Sequence, residues 1–246
     1  MSGRLTSEQL KKLAMGTMFL DHLAVAVIYG HGLNRTYPFL DDIGLAMRLV
    51  GRMAFPLYAF LLVQGFLWTR DWKKYLSRMA IFALISEIPF NLVLAGEIGY
   101  PYAQNTIVTL TVGLLCLKMI ETLERKYELS MGGAGPSGII GYALVIWVIA
   151  ASMAAVELLC GDYGAFGLIL IVLFYIFRYR PTEQMVACCV GLVMIYGFGI
   201  EVLFAWIAIF LISRYNGERG RKLGLMPYVF YPVHLLAVWL AGAAIV

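Results

Sequence analysis

Long apolar segments recur along this whole chain and restrict its fold more than any other feature. Apolar residues make up 61% of the 246 residues, and charged residues make up only 14%. A soluble domain is about 45–50% apolar and about 25% charged, so a chain of this composition requires lipid as its solvent. Helices satisfy their own backbone hydrogen bonds in lipid, whereas isolated strands do not. The sequence therefore predicts an all-α fold, a polytopic transmembrane helical bundle that forms a single integral membrane domain over residues 1–246.

About nine segments are candidate spans, since a span needs about 20 mostly apolar residues. The predicted spans lie near 10–30, 44–68, 76–96, 104–123, 138–160, 163–178, 183–198, 200–213 and 228–246. Those beginning at 163, 183 and 200 are short. The latter two are joined by a tight link and could form one hairpin that crosses the membrane incompletely. The first segment carries Asp21 and His22 at its middle and lacks a small-residue cleavage site. It is therefore predicted to be a retained span and not a signal peptide.

The charges between the spans predict the orientation. The gaps after even-numbered spans and the N-terminus are basic, with Arg4, Lys11, Lys12, Arg70, Lys73, Lys74, Arg78, Lys118, Arg125, Lys126, Arg178, Arg180, Arg214, Arg219, Arg221 and Lys222. The positive-inside rule then places the N-terminus in the cytoplasm and the C-terminus outside, with residues 130–137 as a flexible cytoplasmic turn. Because this topology accounts for the net charge of +4, and no basic face is evident, no nucleic-acid partner is expected.

Six ionisable side chains within the predicted spans are candidates for a buried site: Asp21, His22, Arg48, Arg52, Glu87 and His234. Such groups are costly in lipid and normally face a bundle interior or an aqueous cavity. At about 1.5 Å per residue, Asp21, His22 and Glu87 lie roughly 17 Å from the cytoplasmic side. Arg52 lies roughly 13 Å from the outer side, which is the same layer of a core about 30 Å thick. Three consecutive spans therefore carry opposite charges at one depth, which predicts a buried site.

The spacings suggest how these charges pair. Arg48 and Arg52 are four residues apart, so both project from one helix face and could bind a phosphate, a carboxylate or two acids. Asp21 and His22 are adjacent and therefore point about 100° apart. We predict that Asp21 pairs with an arginine and that Glu87 orients His22. The simpler alternative is a set of static ion pairs that fixes the helix register.

Four segments carry a resemblance to a known family. LKKLAMGTMFLDHLA (10–24), RLVGRMAFPLYAFLLVQGF (48–66), RMAIFALISEIPFNL (78–92) and YVFYPVHLLAVWL (228–240) resemble, in order, the TraX family of membrane proteins. The likeness covers nearly the whole chain and is loose over about 125–200. The founding member is associated with N-terminal acetylation of a pilin subunit, and the family is grouped with multi-spanning acyltransferases that use cytoplasmic acyl-CoA. The resemblance implies a multi-pass protein of the bacterial inner membrane that performs acyl transfer.

Acyl transfer requires a base for the attacking group and donors for the developing oxyanion. We expect acetyl-CoA, or another acyl-CoA, as co-substrate and an extracytoplasmic acceptor, which could be a peptide N-terminus, a sugar or a lipid. The predicted catalytic residues are His22 as base, with Glu87 and Asp21. The predicted substrate-binding residues are Arg48, Arg52, Asn105, Tyr231 and His234. Arg52 or Asn105 could face the oxyanion, and Arg48 together with basic residues that face the cytoplasm could hold the CoA phosphates.

Two other functions compete with this prediction. A proton-coupled transporter of a small molecule or lipid also requires buried His, Glu and Arg, and its expected sign is a pair of broken helices. A non-catalytic scaffold would leave the buried charges unexplained. No metal is expected, because the three histidines lie on separate segments and make no ligand set.

Overall fold

The computed structural model describes residues 4–129 and 136–245, and all regular elements in these ranges are helical. The predicted turn at 130–137 falls mostly on residues 130–135, which lie outside the described residues. The helices are α1 (Ser7–Leu23), continued by a π-helical segment (Ala24–Tyr29), α2 (Leu33–Thr36), α3 (Phe39–Gly51), α4 (Ala54–Trp68), α5 (Trp72–Ala95), α6 (Thr106–Lys126), α7 (Pro136–Leu158), α8 (Gly164–Ile176), α9 (Pro181–Tyr196), α10 (Ile200–Ser213) and α11 (Met226–Ala243). The predicted all-α fold is confirmed.

Six helical segments are long and apolar enough to cross a membrane, judged by length and composition. They are Ser7–Tyr29, Phe39–Trp68, Trp72–Ala95, Thr106–Lys126, Pro136–Leu158 and Met226–Ala243. The other three apolar helices, α8 to α10, are shorter and coincide with the three segments that the sequence predicted to be short. The order and spacing of the predicted spans therefore agree with the helices.

The second predicted span, expected as one helix over 44–68, is two helices. Helix α3 ends at Gly51 and α4 begins at Ala54, with Arg52 and Met53 in a turn between them. Pro56 explains the break, because it has no backbone N–H to donate to the Arg52 carbonyl and its ring crowds that carbonyl. The first span is also irregular, since its π-helical segment begins two residues after His22. Short π-helical segments are frequent at functional sites.

Helix α4 occupies the centre of the bundle. It packs against α1, α6, α8 and α10, and ten of its fifteen residues are buried. Helix α11 packs along α5 and contacts the π-helical segment. Large apolar side chains such as Leu84, Ile146 and Phe210 face outward and are more than half exposed. Exposed apolar surface on this scale is unfavourable in water, and a lipid bilayer covers it.

Hydrogen bonds between loops gather the basic gaps at one end of the bundle, here named the basic end. The Leu5 amide donates to the Arg214 carbonyl at 2.9 Å, which joins the N-terminal segment to the loop between α10 and α11. The Arg219 side chain donates to the Trp68 carbonyl at 3.1 Å, which brings the α4–α5 link to the same loop. The N-terminus and the gaps after the second and eighth predicted spans therefore lie together.

The gaps after the third and fifth predicted spans, which hold Glu97 and Asp162, meet away from the basic end. The Gln104 amide donates to the Cys160 carbonyl at 2.8 Å, and the Asp162 amide donates to the Gln104 carbonyl at 3.0 Å. These bonds join the α5–α6 link to the α7–α8 link. These two loops after odd-numbered predicted spans thus lie apart from the basic end, as an alternation of basic and acidic gaps requires.

The orientation in the membrane stays a prediction that cysteine labelling can test. Asp41 lies in the exposed first turn of α3 and Lys74 in the exposed first turn of α5. In a variant with the native cysteines replaced, Asp41→Cys is expected to react with an impermeant maleimide in intact cells, and Lys74→Cys only after lysis. Labelling of Lys74→Cys but not of Asp41→Cys in intact cells would show the opposite orientation.

Candidate functional site

Two histidines from opposite ends of the chain meet inside the bundle. His22 lies near the end of α1, and His234 lies in α11 one turn beyond Phe230. The His22 Nδ1 and His234 Nε2 atoms are 2.7 Å apart, and the two rings stack with centroids 5.0 Å apart. The His234 side chain is buried. The sequence identified both residues as candidates but did not predict their direct contact.

The hydrogen bonds around this pair fix the neutral tautomer of each ring. His234 Nδ1 lies 2.8 Å from the Phe230 carbonyl oxygen, which can only accept, so this nitrogen carries the proton. In the neutral His234 ring, Nε2 must then accept, and His22 Nδ1–H is its donor. The neutral His22 ring consequently has its lone pair on Nε2. His234 holds His22 in the tautomer and orientation of a base.

The prediction that Glu87 orients His22 is wrong. Glu87 Oε2 instead accepts a hydrogen bond from Asn105 Nδ2 at 2.5 Å. The Asn105 amide also donates to the Ala83 carbonyl at 2.8 Å, and its oxygen accepts from the Ile107 amide at 3.1 Å as the N-cap of α6. All polar side-chain atoms of Asn105 therefore have partners, which leaves none for the predicted oxyanion contact. Depth along a helix could be counted from the sequence, whereas rotation about the helix axis could not.

Asp21 lies between two arginines at the contact of α1 with α3. Its carboxylate oxygens are 3.6 Å from Arg48 Nη1 and 3.9 Å from Arg52 Nη2. Asp21 thus faces α3 while His22 faces α11, as their angular separation on α1 predicted. Gly51 permits the close approach, because a Cβ at this position would overlap Asp21. The two arginines are held by this acid, and neither lines the cavity described below.

The start of α6 lies near mid-depth in the bundle. Ala83, whose carbonyl accepts from Asn105, is eleven residues beyond Trp72, the first residue of α5 at the basic end. At about 1.5 Å per residue, this contact is roughly 17 Å from the basic end. Thr106, the first residue of α6, is therefore deep in the bundle. The predicted span 104–123 puts this residue close to the outer surface. The sequence does not show that tertiary hydrogen bonds hold the α5–α6 link inside the bundle.

A loop carboxylate that was not among the predicted site residues joins this deep layer. Asp162 accepts from the Thr106 hydroxyl at 2.6 Å and from the Tyr163 amide at 3.1 Å, and its carbonyl accepts from the Thr109 hydroxyl. Burial raises the pKa of the Asp162 carboxyl, while the bonds from Thr106 and Tyr163 act in the opposite direction. This loop acid ties α6 to the start of α8.

A cavity of about 930 Å³ extends from the basic end toward this layer. Near the basic end its wall carries six cationic side chains and, among the described residues, no acidic one: Lys11, Arg70, Arg78, Arg219, Arg221 and Lys222. Deeper in the bundle it is lined by apolar groups such as Met18 and Leu110 and by three hydroxyl groups, those of Tyr58, Thr106 and Tyr231. The sequence predicted that basic residues facing the cytoplasm could hold CoA phosphates but did not identify which, although Arg219, Arg221 and Lys222 cluster in one short loop.

Tyr231 connects the cavity to the histidine pair. Its ring lines the cavity and lies edge-on to His22, with centroids 6.1 Å apart, and 5.7 Å from the ring of His234. Of the catalytic and substrate-binding residues that were predicted from the sequence, only Tyr231 is part of the cavity wall. The site therefore combines a basic entrance, an apolar passage and a pair of imidazoles beside its deep end.

These features define a polytopic membrane protein with a buried polar site reached from one end. The family model described as "TraX protein" matches residues 6–241, and the chain belongs to this family. It is similar to a protein of Dichelobacter nodosus named "Probable fimbrial assembly protein FimC, serogroup H1", with 26% identity over an alignment 251 positions long. That alignment covers 92% of this chain and 91% of the relative. No solved structure matches this chain.

Proposed function

We propose that this protein is an acyltransferase of the bacterial inner membrane. It transfers an acetyl group, or another acyl group, from acyl-CoA to an amine or hydroxyl of an acceptor on the other side of the membrane. The observation that carries this proposal is the cavity. The charged side chains at its entrance are all cationic among the described residues, and it ends beside the His22–His234 pair.

The shape and charge of the cavity suit a CoA thioester. CoA has an anionic phosphate-rich end, which six cationic side chains would attract, and a long uncharged arm that ends in the thioester. The volume of about 930 Å³ is within the usual range of ligand pockets, about 300–1,000 Å³. With the phosphates at the basic entrance, the arm would extend toward Tyr231. This arrangement keeps the cytoplasmic-facing basic residues that the sequence proposed for the phosphates and leaves out Arg48, which does not line the cavity.

The histidine pair supplies the base. His22 Nε2 accepts a proton from the attacking amine or hydroxyl as the new bond to the thioester carbon forms. The tetrahedral intermediate then expels the CoA sulfur, which takes the proton from the His22 imidazolium and leaves as the thiol. His234 stabilises the charged ring through the hydrogen bond between the two rings. The protons and electrons balance, so the reaction requires no reactant other than the acyl-CoA and the acceptor.

Support for the acceptor comes from outside the site. The relative from Dichelobacter nodosus is named for fimbrial assembly, and fimbriae are built from protein subunits. A free N-terminal amine of such a subunit would be a suitable nucleophile for His22 to activate. Sugar and lipid hydroxyls are the other acceptors that the same chemistry allows, and each can be tested with the same release of CoA.

A transporter is the second candidate, and the break at Arg52 and Met53 favours it. Broken helices in transporters commonly occur in pairs in two related halves. The two functions differ in outcome, since a transporter moves its substrate unchanged while an acyltransferase releases CoA thiol. Proteoliposomes loaded with a peptide amine distinguish them by mass spectrometry of the peptide.

Acetyl-CoA binding tests the role of the basic entrance. Arg221→Glu reverses a charge in the cavity wall, and a charged hydrogen bond contributes about 1.5–3 kcal/mol. We therefore expect about tenfold or greater weakening of acetyl-CoA binding by calorimetry. Lys73→Glu makes the same charge change at an exposed position of the same end outside the cavity and should leave the Kd nearly unchanged. Equal Kd values for wild type and Arg221→Glu would remove the cavity from donor binding.

A further inference from the structure

We propose that the hydroxyl groups of Tyr58 and Tyr231 donate hydrogen bonds to the thioester carbonyl oxygen during acyl transfer. This inference rests on the proposed function and adds the oxyanion-binding residues, which the histidine pair does not supply. His22 Nε2 is the proton acceptor in this chemistry, and its Nδ1–H is committed to His234. The oxyanion therefore needs donors from elsewhere.

The two hydroxyls share an unusual condition. Both oxygens are buried, neither has a hydrogen-bond partner, and both residues line the cavity. More than about 90% of buried polar groups in proteins are hydrogen-bonded, so an unpaired pair in one cavity points to a missing ligand atom. The chain places them on separate helices, Tyr58 on α4 and Tyr231 on α11.

Other unpaired hydroxyls do not share this location. Among the described residues, Ser86, Tyr196 and Tyr215 also have buried hydroxyl oxygens without partners, but none of them lines the cavity. Thr106 does line it, but its hydroxyl donates to Asp162 at 2.6 Å. Within the described part of the cavity wall, the buried hydroxyl oxygens without a partner are therefore those of the two tyrosines.

Their position matches the chemistry. The ring of Tyr231 lies edge-on to His22, so a thioester that reaches Tyr231 has its carbonyl near both donor and base. When the nucleophile attacks and gives its proton to His22, negative charge moves to the carbonyl oxygen. Preorganised donors stabilise this charge in a site from which water is excluded. As the C–S bond breaks, the electron pair on the oxygen re-forms the carbonyl and the negative charge passes to the sulfur, which takes the proton from the His22 imidazolium. The two hydroxyls keep their own protons throughout.

Phenylalanine variants test the proposal with the full-length protein. Tyr58→Phe and Tyr231→Phe are each expected to lower kcat about 10²–10³-fold, while the Kd for acetyl-CoA rises by about tenfold at most, the contribution of one neutral hydrogen bond. The release of CoA thiol measures turnover, with a peptide acceptor or by slow hydrolysis without one. Tyr215→Phe removes an equally buried and unpaired hydroxyl outside the cavity and should keep the wild-type kcat.

Infrared spectroscopy gives a readout that a structural role does not change. Carbonyl-labelled [¹³C]acetyl-CoA bound to the wild-type protein should absorb at lower wavenumber than in solution, because hydrogen bonds weaken the carbonyl bond. In each phenylalanine variant the band should move back toward the solution value. An unshifted band in bound wild type, or full kcat in both variants, overturns the oxyanion assignment alone. Failure of the wild-type protein to bind acetyl-CoA overturns the proposed function, and the assignment with it.

Discussion

His22→Gln is expected to lower acetyl transfer by about 10²–10⁴-fold, the usual contribution of a general base. Glutamine approximates the size of the ring and can still hydrogen-bond His234, but it cannot accept the proton of the nucleophile. Acetyl-CoA binding should survive, because the cationic entrance of the cavity is untouched. Thiol release and calorimetry on the same preparation separate the two effects.

Variants of the other two histidines test whether the effect is specific to His22. His31→Gln changes a histidine that is not part of the hydrogen-bonded pair and should leave turnover unchanged. His234→Gln should reduce turnover less than His22→Gln does, since His234 orients the base and stabilises its charge without receiving the proton. Full turnover in His22→Gln would transfer the catalytic role to His234, the alternative base within the pair.

Asp21→Asn is expected to destabilise the folded protein by about 3–5 kcal/mol, because it leaves Arg48 and Arg52 without their counter-charge inside the bundle. The measurement is the free energy of unfolding, or the Tm, of purified protein in detergent. Asp42→Asn removes an exposed carboxylate from the first turn of α3 and should have little effect. An unchanged Tm for Asp21→Asn would mean that water already solvates the two arginines.

Features that depend on composition and spacing along one helix could be predicted from the sequence. The helical spans follow from hydropathy, since the bilayer sets both the length and the composition of a span. The pairing of Asp21 with Arg48 and Arg52 follows from shared depth and from the four-residue spacing. The different directions of Asp21 and His22 follow from helix geometry. These arguments require no knowledge of how one helix is rotated against the next.

Features that depend on packing between helices could not be predicted in this way. Glu87 shares the depth of His22 but faces Asn105, and nothing in the sequence fixes that rotation. The His22–His234 contact joins residues 212 positions apart and results from the packing of α1 against α11. The break before α4 did have a signal, because Pro56 cannot donate to the carbonyl four residues earlier. The cavity emerges only when five separate segments surround it.

Binding of the acyl donor in the basic cavity is the central claim, and an experimental structure with a stable analogue tests it most directly. S-acetonyl-CoA replaces the thioester with a ketone that cannot transfer its acyl group. The account predicts its phosphates beside Arg78, Arg219 and Arg221, with its carbonyl oxygen between Tyr58 and Tyr231 and near His22. The account would be contradicted if the cavity stayed empty at a saturating concentration of the analogue, or if the nucleotide end of the analogue were bound at another surface.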